Sequence, residues 1–296
     1  MANLKKYPFT SILGWSASRY DTFNFCKRKY YYQYYAKFDT EFGREEIDFL
    51  KKLTSIPLET GSVVHDVIEA LFKRLQQSPS PINQQKFADF TAKAIKRGTS
   101  RTFSEVYYKQ LDEVTPANIE EKVNACLVNL ITSERFKWAS EQAIDSCKDW
   151  IVEPPGFGEV RLGGLKAYCK VDFLLPFNNE IIILDWKTGK KDEYKHSKQL
   201  LGYAAWAKEH FGDTAFSEYA IKPVDVYLYP EYSEMSIEAT DEDILKLAEQ
   251  IRDETQEMYK LCIDVENNIP KNKTEFPLCE KTYLCPYCNY RKLCER

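Results

Sequence analysis

The triplet Pro154-Pro155-Gly156 divides the sequence into two stretches of different character, because proline and glycine interrupt both helices and central strands. Before it, from residue 84 to about 150, apolar residues recur at helical spacing and no alternating run occurs. After it come three segments with the composition of strands, around 158–163, 165–175 and 180–187.

The remaining segments alternate between helical and strand patterns. Residues 16–37 predict one helix, opened by Ser16 or Ser18. Ser62 is predicted to cap a second helix, whose apolar stripe comprises Val63, Val64, Val67, Ile68, Leu71, Phe72 and Leu75. Further along, the pattern predicts a helix at 195–211, strands at 223–229 and 233–238, and a helix at 241–265. This order predicts an α/β fold in which helices cover a mixed sheet.

Composition excludes several classes of protein. Of the 296 residues, 44% are hydrophobic and 29% charged, which is typical of a globular chain rather than a disordered one. No apolar run reaches the roughly eighteen residues of a membrane span, and the N-terminus has no signal-peptide core, so we expect a cytoplasmic protein. The net charge of −4 argues against coating nucleic acid by bulk electrostatics, although it permits a local basic groove.

An acidic hairpin is the first candidate site. Asn178-Asn179 predicts a hairpin turn, and alternation along the strand that follows places Asp185 and Lys187 on one face. Asp172, on the preceding hairpin strand, is near enough in sequence to converge with Asp185. Two carboxylates so placed repel each other unless a divalent cation such as Mg²⁺ or Mn²⁺ lies between them. From spacing alone, strand-end acids paired with a surface lysine remain an equal alternative.

Two flanking segments add polar side chains. In the helix HSKQLLGYAAWA, Gln199 and Tyr203 are four residues apart and share a face, where they can hold phosphate oxygens or simply pack into the domain. His65 lies at the margin of the apolar stripe of the Ser62 helix, where a structural histidine is the commoner case. Neither segment is decisive by itself.

Taken together, ETGSVVHDVIEALF, KVDFLL, IIILDWKTGK and QLLGYAAWA resemble, in order, the motif series of RecB-like nucleases in the PD-(D/E)XK superfamily. The resemblance implies a restriction-endonuclease-like core with a helical insertion. It implies metal ligation by His65, Asp172, Asp185 and the backbone carbonyl of Trp186, with Lys187 as the catalytic lysine and Gln199 and Tyr203 as the family's Q-x-x-x-Y signature. Two departures are visible: Val171 where proline precedes the first acid in some members, and Asp185 where many have glutamate.

Four of the nine cysteines fall in the last eighteen residues. A reducing compartment disfavours a disulfide framework, and Cys285-x₂-Cys288-x₅-Cys294 can converge on one soft metal centre that requires a fourth ligand. Cys279 is the local candidate and Cys26 the distant one. Loop-closure cost grows by only about 0.6 kcal/mol per doubling of length, so sequence distance does not exclude Cys26.

The same family resemblance favours Cys26. Its members with a [4Fe-4S] cluster, which include AddB-type nuclease modules and the CRISPR-adaptation nuclease, place one cysteine in a segment like SASRYDTFNFCKRKYYYQY and three in one like CPYCNYRKLC. It implies cluster ligation by Cys26, Cys285, Cys288 and Cys294, with a Cys₄ zinc site as the alternative. The expected division is N-terminal helices with the first cluster cysteine and the histidine motif (1–83), a helical insertion (84–153), a nuclease core (154–265) and a cysteine segment (266–296).

The function predicted is therefore metal-dependent hydrolysis of DNA, with the resemblance favouring exonuclease action on single strands. Lys190, Lys191 and Lys195 are placed to guide a phosphodiester to the metal, and the tyrosines after Lys27-Arg28-Lys29 are candidates either for base stacking or for the core. No nucleotide-binding P-loop is present, so unwinding would need a helicase partner. The alternatives are a catalytically silent DNA-binding scaffold with a structural Cys₄ site, and a nuclease of CRISPR spacer acquisition.

Overall fold

The computed structural model describes residues 4–154 and 158–296, so Pro155 and Gly156 of the sequence break lie outside the described residues. The chain forms two compact units. The first, here called the sheet unit, comprises Met1–Lys6, Thr54–Val160 and Cys169–Leu247. The second, the cysteine unit, comprises Tyr7–Leu53, Arg161–Tyr168 and Ala248–Arg296.

Helices and strands follow the order expected of a mixed α/β chain, which confirms the predicted fold class. The helices are α1 (Ala17–Phe25), α2 (Lys27–Tyr35), α3 (Arg44–Lys52), α4 (Ile56–Gln77), α5 (Gln84–Gly98), α6 (Ser104–Tyr107), α7 (Ala117–Ile131), α8 (Glu134–Glu141), α9 (Glu193–Phe211) and α10 (Asp241–Tyr259). The strands are β1 (Ile151–Val152), β2 (Glu159–Leu162), β3 (Leu165–Tyr168), β4 (Phe173–Phe177), β5 (Glu180–Lys187), β6 (Ala220–Tyr227), β7 (Ser233–Ser236), β8 (Cys262–Asp264) and β9 (Ile269–Pro270).

A five-stranded sheet, in the order β1-β4-β5-β6-β7, forms the centre of the sheet unit. β4 and β5 make the predicted hairpin, because Asn178 and Asn179 both adopt positive φ, at 48° and 60°. β6 returns parallel to β5 after α9, while the other pairings are antiparallel. β5 is therefore the central strand, and all of its residues except the two at its ends are buried.

The apolar stripe of α4 packs on this sheet. Phe72 lies at the centre of the contact, with its ring 4.3 Å from that of Phe173 and 5.7 Å from that of Trp186. Trp150 closes the cluster, with its ring 6.0 Å from Phe72. These rings anchor α4 directly beneath the carboxyl end of β5.

We expect Phe72→Ala to destabilise the sheet unit by about 3–5 kcal/mol, because truncation of a fully buried ring leaves a cavity. Urea unfolding followed by tryptophan fluorescence measures this well, since four of the five tryptophans, all except Trp15, belong to the sheet unit. Phe90→Ala, at a ring 42% exposed on α5, is the matched control and should cost less than about 1 kcal/mol. Equal losses in the two variants would contradict this account of the core.

Several element boundaries differ from the sequence prediction. Helix α4 begins at Ile56, with Pro57 in its first turn, so Ser62 is not a cap but lies inside the helix. The predicted strand 165–175 is interrupted between β3 and β4, and Asp172 comes directly before β4 instead of within a hairpin strand. The final helix ends at Tyr259 rather than at 265, and a short hairpin of β8 and β9 follows it.

In the cysteine unit, the predicted helix 16–37 is broken at Cys26, whose φ of −166° is extended backbone. Cys26 thereby ends α1 and caps α2, where its sulfur accepts the Lys29 amide at 3.4 Å. Four tyrosines of α2 are buried, and the rings of Tyr31 and Phe276 lie 5.0 Å apart. The core interpretation of these tyrosines is therefore correct, and the base-stacking one is wrong for the four that are buried.

Across the described ranges, no helix combines the length and apolarity that crossing a bilayer requires.

Candidate active site

The predicted site residues converge at the carboxyl end of β5. Because Phe173 pairs with Leu184 in the antiparallel β4–β5 ladder, Asp172 lies opposite Asp185. Helix α4 brings His65 to the same end, and α9 brings Gln199 and Tyr203. Residues separated by more than a hundred positions in sequence thus meet within one unit of the fold.

His65 links two of the predicted metal ligands. Its Nδ1 lies 3.3 Å from Oδ2 of Asp172, and its Nε2 lies 2.9 Å from the carbonyl oxygen of Trp186. Burial disfavours the charged ring, but the carboxylates of Asp172 and Asp185 and the Trp186 carbonyl outweigh it and raise the pKa of His65 to about 9. In this state the imidazolium donates to both oxygens.

Asp172 is held in place by a second donor. The same Oδ2 atom accepts the backbone amide of Trp186 at 3.0 Å. The amide and the imidazolium fix the carboxylate so that it faces Asp185 on the neighbouring strand. Electrostatic repulsion from Asp172 adds to burial in raising the pKa of Asp185.

Glu153 joins this group, although sequence reasoning missed it. Ligand atoms of His65, Glu153 and Asp172 all lie within 4.8 Å of one another. Glu153 follows the two-residue strand β1, donates its backbone amide to the Asp172 carbonyl at 2.8 Å, and pairs its carboxylate with Lys170 at 2.5 Å. The only sequence signal was an acid immediately before the Pro-Pro-Gly break, because a two-residue strand shows no periodicity.

A closed ring of contacts holds the second acid and the lysine. Lys187 Nζ donates to Gln199 Oε1 at 2.7 Å, Gln199 Nε2 donates to the Tyr203 hydroxyl at 2.5 Å, and Tyr203 donates to Asp185 Oδ1 at 2.5 Å. An ion pair between Lys187 and Asp185 completes the ring. Burial, followed by the charges of Asp185 and Asp172, raises the pKa of Tyr203 well above its ordinary value, so the hydroxyl remains a donor.

The ring engages the polar groups of the Q-x-x-x-Y pair within the protein, and a contact of this pair with phosphate oxygens of DNA stays a prediction. Tyr203 is 2% exposed and its hydroxyl is committed to Asp185. Gln199 uses its carbonyl on Lys187 and its amide on Tyr203. Both side chains therefore orient Asp185 and Lys187 in this structure.

A cavity of about 470 Å³ opens in front of His65 and Asp172. Its walls are the first turns of α4 and the residues that flank β1 and β5, namely Pro57, Leu58, Gly61, Ser62, Asp66, Glu69, Glu153, Lys170 and Thr188. Leu58, 68% exposed, offers an apolar contact there, and Lys190 and Lys191 are exposed directly after β5. The cavity is a candidate path for a substrate.

A second site lies in the cysteine unit, where five thiols line one cavity of about 20 Å³: Cys26, Cys279, Cys285, Cys288 and Cys294. Burial and then the nearby sulfurs of Cys288, Cys26 and Cys285 raise the pKa of Cys294 to about 11. Cys279 instead directs its thiol to the Lys281 carbonyl at 3.6 Å. Cys26, Cys285 and Cys288 therefore lie near Cys294, whereas Cys279 contacts the backbone.

Comparison with known proteins agrees with this geometry. A family model described as the PD-(D/E)XK nuclease superfamily matches residues 14–295. The crystal structure of SSO0001 is similar at 19% sequence identity, over 64% of this chain and 77% of that one, with a TM-score of 0.29. No protein of curated function matches.

The match extends over nearly the whole sequence and includes all four motifs. The superfamily prediction is thereby confirmed, whereas the RecB-like subgroup, the iron–sulfur cluster and the CRISPR relation stay predictions. Nucleases of this superfamily use divalent metals, in keeping with the acids and imidazole at the end of β5. This chain belongs to the PD-(D/E)XK nuclease superfamily.

Proposed function

We propose that the protein is a divalent-metal-dependent DNA nuclease that hydrolyses phosphodiester bonds in single strands from an end. The observation that carries the proposal is the contact of His65 with both Asp172 and the Trp186 carbonyl, beside the ring that holds Asp185 and Lys187. Preference for single strands and for ends rests on the family resemblance.

The residues present fit a divalent metal. His65, Asp172, Asp185 and the Trp186 carbonyl would hold it, with Glu153 as a further candidate: among the described residues Glu153, and not Asp185, has a ligand atom within 4.8 Å of both His65 and Asp172. Carboxylate and carbonyl oxygens suit Mg²⁺ and Mn²⁺, and an imidazole favours Mn²⁺ of the two. Asp172 and Asp185 also face each other with poor access to water, and the repulsion between their carboxylates favours binding of a cation. When bound, such a metal supplies Lewis-acid chemistry at a phosphodiester and lowers the pKa of a coordinated water.

Lys187 is the group through which the chain acts on the reacting atoms. Its side chain is 14% exposed, and Gln199 and Asp185 fix the position of its ammonium. Burial disfavours the charge, but Asp185 and Asp225 outweigh it and raise the pKa of Lys187, so the amine stays protonated. A fixed ammonium can orient an attacking water and stabilise charge that develops on a phosphate.

Metal binding should depend on pH because His65 must lose a proton before either ring nitrogen can bind a cation. With a pKa of about 9, we expect Mn²⁺ affinity to rise about tenfold per pH unit between pH 7 and that value. Titration calorimetry in two buffers of different ionisation enthalpy should show release of at least one proton.

Stability of the metal-free protein should show the opposite trend. The folded pKa of His65 lies above its ordinary value of 6.5, so its stabilising contribution is complete below pH 6.5 and declines as pH rises towards about 9. His65→Gln should flatten both profiles. An Mn²⁺ affinity independent of pH would contradict the bridging imidazolium.

The activity is tested with end-labelled oligonucleotides, single-stranded and duplex, together with circular single-stranded DNA, in Mn²⁺ or EDTA. We expect Mn²⁺-dependent release of short products from linear single strands and no cutting of circles. Cutting of circles would establish endonuclease action instead. Mn²⁺ binding without cleavage of any substrate would favour the catalytically silent DNA-binding scaffold. A helicase or CRISPR-adaptation partner is tested separately, by reconstitution with the purified partner.

We further propose that Cys26, Cys285, Cys288 and Cys294 hold a [4Fe-4S] cluster that ties the first helices of the cysteine unit to its last turns. A tetrahedral zinc site needs sulfur atoms about 3.8 Å apart, given Zn–S bonds of about 2.3 Å. Among the residues that the structure describes, no three sulfurs lie within 4.8 Å of one another. Because the cavity is itself small, the thiols would shift for either group. The preference for the cluster over zinc rests on the family resemblance, whose cluster-bearing members have one early and three late cysteines.

A further inference from the structure

Asp225 is a buried acid beside the site that neither the motifs nor the proposed reaction uses. It lies on β6, where the parallel register pairs it with Asp185. Its side chain is 0% exposed, and neither carboxylate oxygen has a hydrogen-bond partner within residues 4–154 and 158–296. One of those oxygens, Oδ1, lies 3.5 Å from Nζ of Lys187.

Burial of a carboxylate at this position lowers the stability of the fold. A buried carboxylate without hydrogen bonds loses its hydration, and an apolar or amide side chain of similar volume is usually as stable or more so. Val224 and Val226, the neighbours of Asp225 on β6, are buried and apolar. The ion pair with Lys187 compensates for this cost. The role of Asp225 therefore depends on the other contacts of Lys187.

Among residues 4–154 and 158–296, Lys187 contacts three polar side chains: Asp185, Gln199 and Asp225. Asp185 belongs to the proposed metal-ligand set, so its charge is shared with a cation when one binds. Gln199 is neutral. Asp225 is the remaining acid among the three, and it lies on β6 rather than on the strand that carries Asp185 and Lys187.

We infer that Asp225 is a positioning residue that holds the ammonium of Lys187 in place while Asp185 binds the metal. The inference rests on the proposed function and deepens it, because it assigns the lysine an anchor outside the ligand set. Sequence reasoning missed Asp225, whose only signal was a single acid within the apolar run of a strand.

The test compares Asp225→Asn with the wild type in single-strand cleavage with Mn²⁺. We expect kcat to fall about 10- to 100-fold, while KM and the Mn²⁺ dissociation constant stay within about twofold. The midpoint of thermal unfolding should stay close to that of the wild type, because Lys187 keeps its ion pair with Asp185. Glu180→Gln, the same chemical change at a partly exposed acid that starts β5, should leave all four quantities unchanged.

A double-mutant comparison separates positioning from other roles. Added to Lys187→Ala, Asp225→Asn should lower the residual rate no further, since it acts through the lysine. A further loss, an equal fall in Mn²⁺ affinity, or an unchanged kcat would each overturn the inference. Asp225→Leu serves if the asparagine variant does not fold, and failure of both to fold would show that the acid is structural.

The outcome for the wild type distinguishes the two proposals. Cleavage by the wild type and equally by Asp225→Asn would refute the anchor and leave the nuclease proposal intact. Absence of cleavage by the wild type would refute both.

Discussion

We expect Lys187→Ala to lower the single-turnover rate of the proposed DNA cleavage by about 10²–10⁴-fold. The reason is geometric: Gln199, Asp185 and Asp225 fix the ammonium at the end of β5, and the described residues provide no second lysine in contact with Asp185. The measurement is single-turnover cleavage of an end-labelled single strand with saturating Mn²⁺.

The fold and the cysteine site should survive this substitution, because Tyr203 still donates to Asp185 and because burial raises the pKa of Asp185 and of Asp225, so these acids can take up a proton once the ammonium is gone. Lys222→Ala is the matched control: it removes the same charge from the neighbouring strand β6, where Lys222 makes only a surface pair with Glu180. Its rate should stay within about twofold of the wild type. Retained cleavage in Lys187→Ala would refute the site.

Cys26→Ser should remove the brown visible absorption of anaerobically purified protein and strongly destabilise the cysteine unit. A cross-link between Cys26 and the last turns closes a loop of more than 250 residues, and in the chain-entropy model a link of that span is worth on the order of 5 kcal/mol. Loss of the link should appear as a lower thermal midpoint and as faster proteolysis of the C-terminal segment.

Cys279→Ser is the paired control, because Cys279 lines the same cavity but directs its thiol to a backbone carbonyl. It should keep the colour and the thermal midpoint. The reverse pattern, with colour lost in Cys279→Ser and kept in Cys26→Ser, would show that the local thiol is the fourth ligand. A colourless wild type containing one zinc per chain would establish the zinc alternative.

The superfamily could be identified from sequence because its motifs are local. A histidine in an apolar helical stripe, acids around a strand hairpin, D-x-K at a strand end and Q-x-x-x-Y on a helix each occupy a few consecutive residues. The helical and strand periods of the backbone fix which of those side chains share a face. The fold class followed from the same periods, and the structure confirms it.

The ends of helices were harder to predict from sequence, because tertiary contacts decide where a helix begins and ends. Ser62 is a residue type that often caps helices, yet α4 runs back to Ile56, whose backbone amide donates to Oε1 of the distant Glu105 at 2.9 Å. The segment around Cys26 looks like one continuous helix until the extended backbone at Cys26 divides it. Intrinsic helix propensity is a property of single residues and does not include such tertiary constraints.

By itself the sequence determined the motif order, the fold class and the residue types available for metal chemistry. Only the tertiary structure decided that Glu153 joins His65 and Asp172, that Gln199 and Tyr203 hold the lysine and the acid, and that Asp225 faces Lys187. The physical reason is register: pairing β5 with β4 and β6 sets which side chains meet, and that pairing depends on packing across the whole sheet rather than on neighbouring residues.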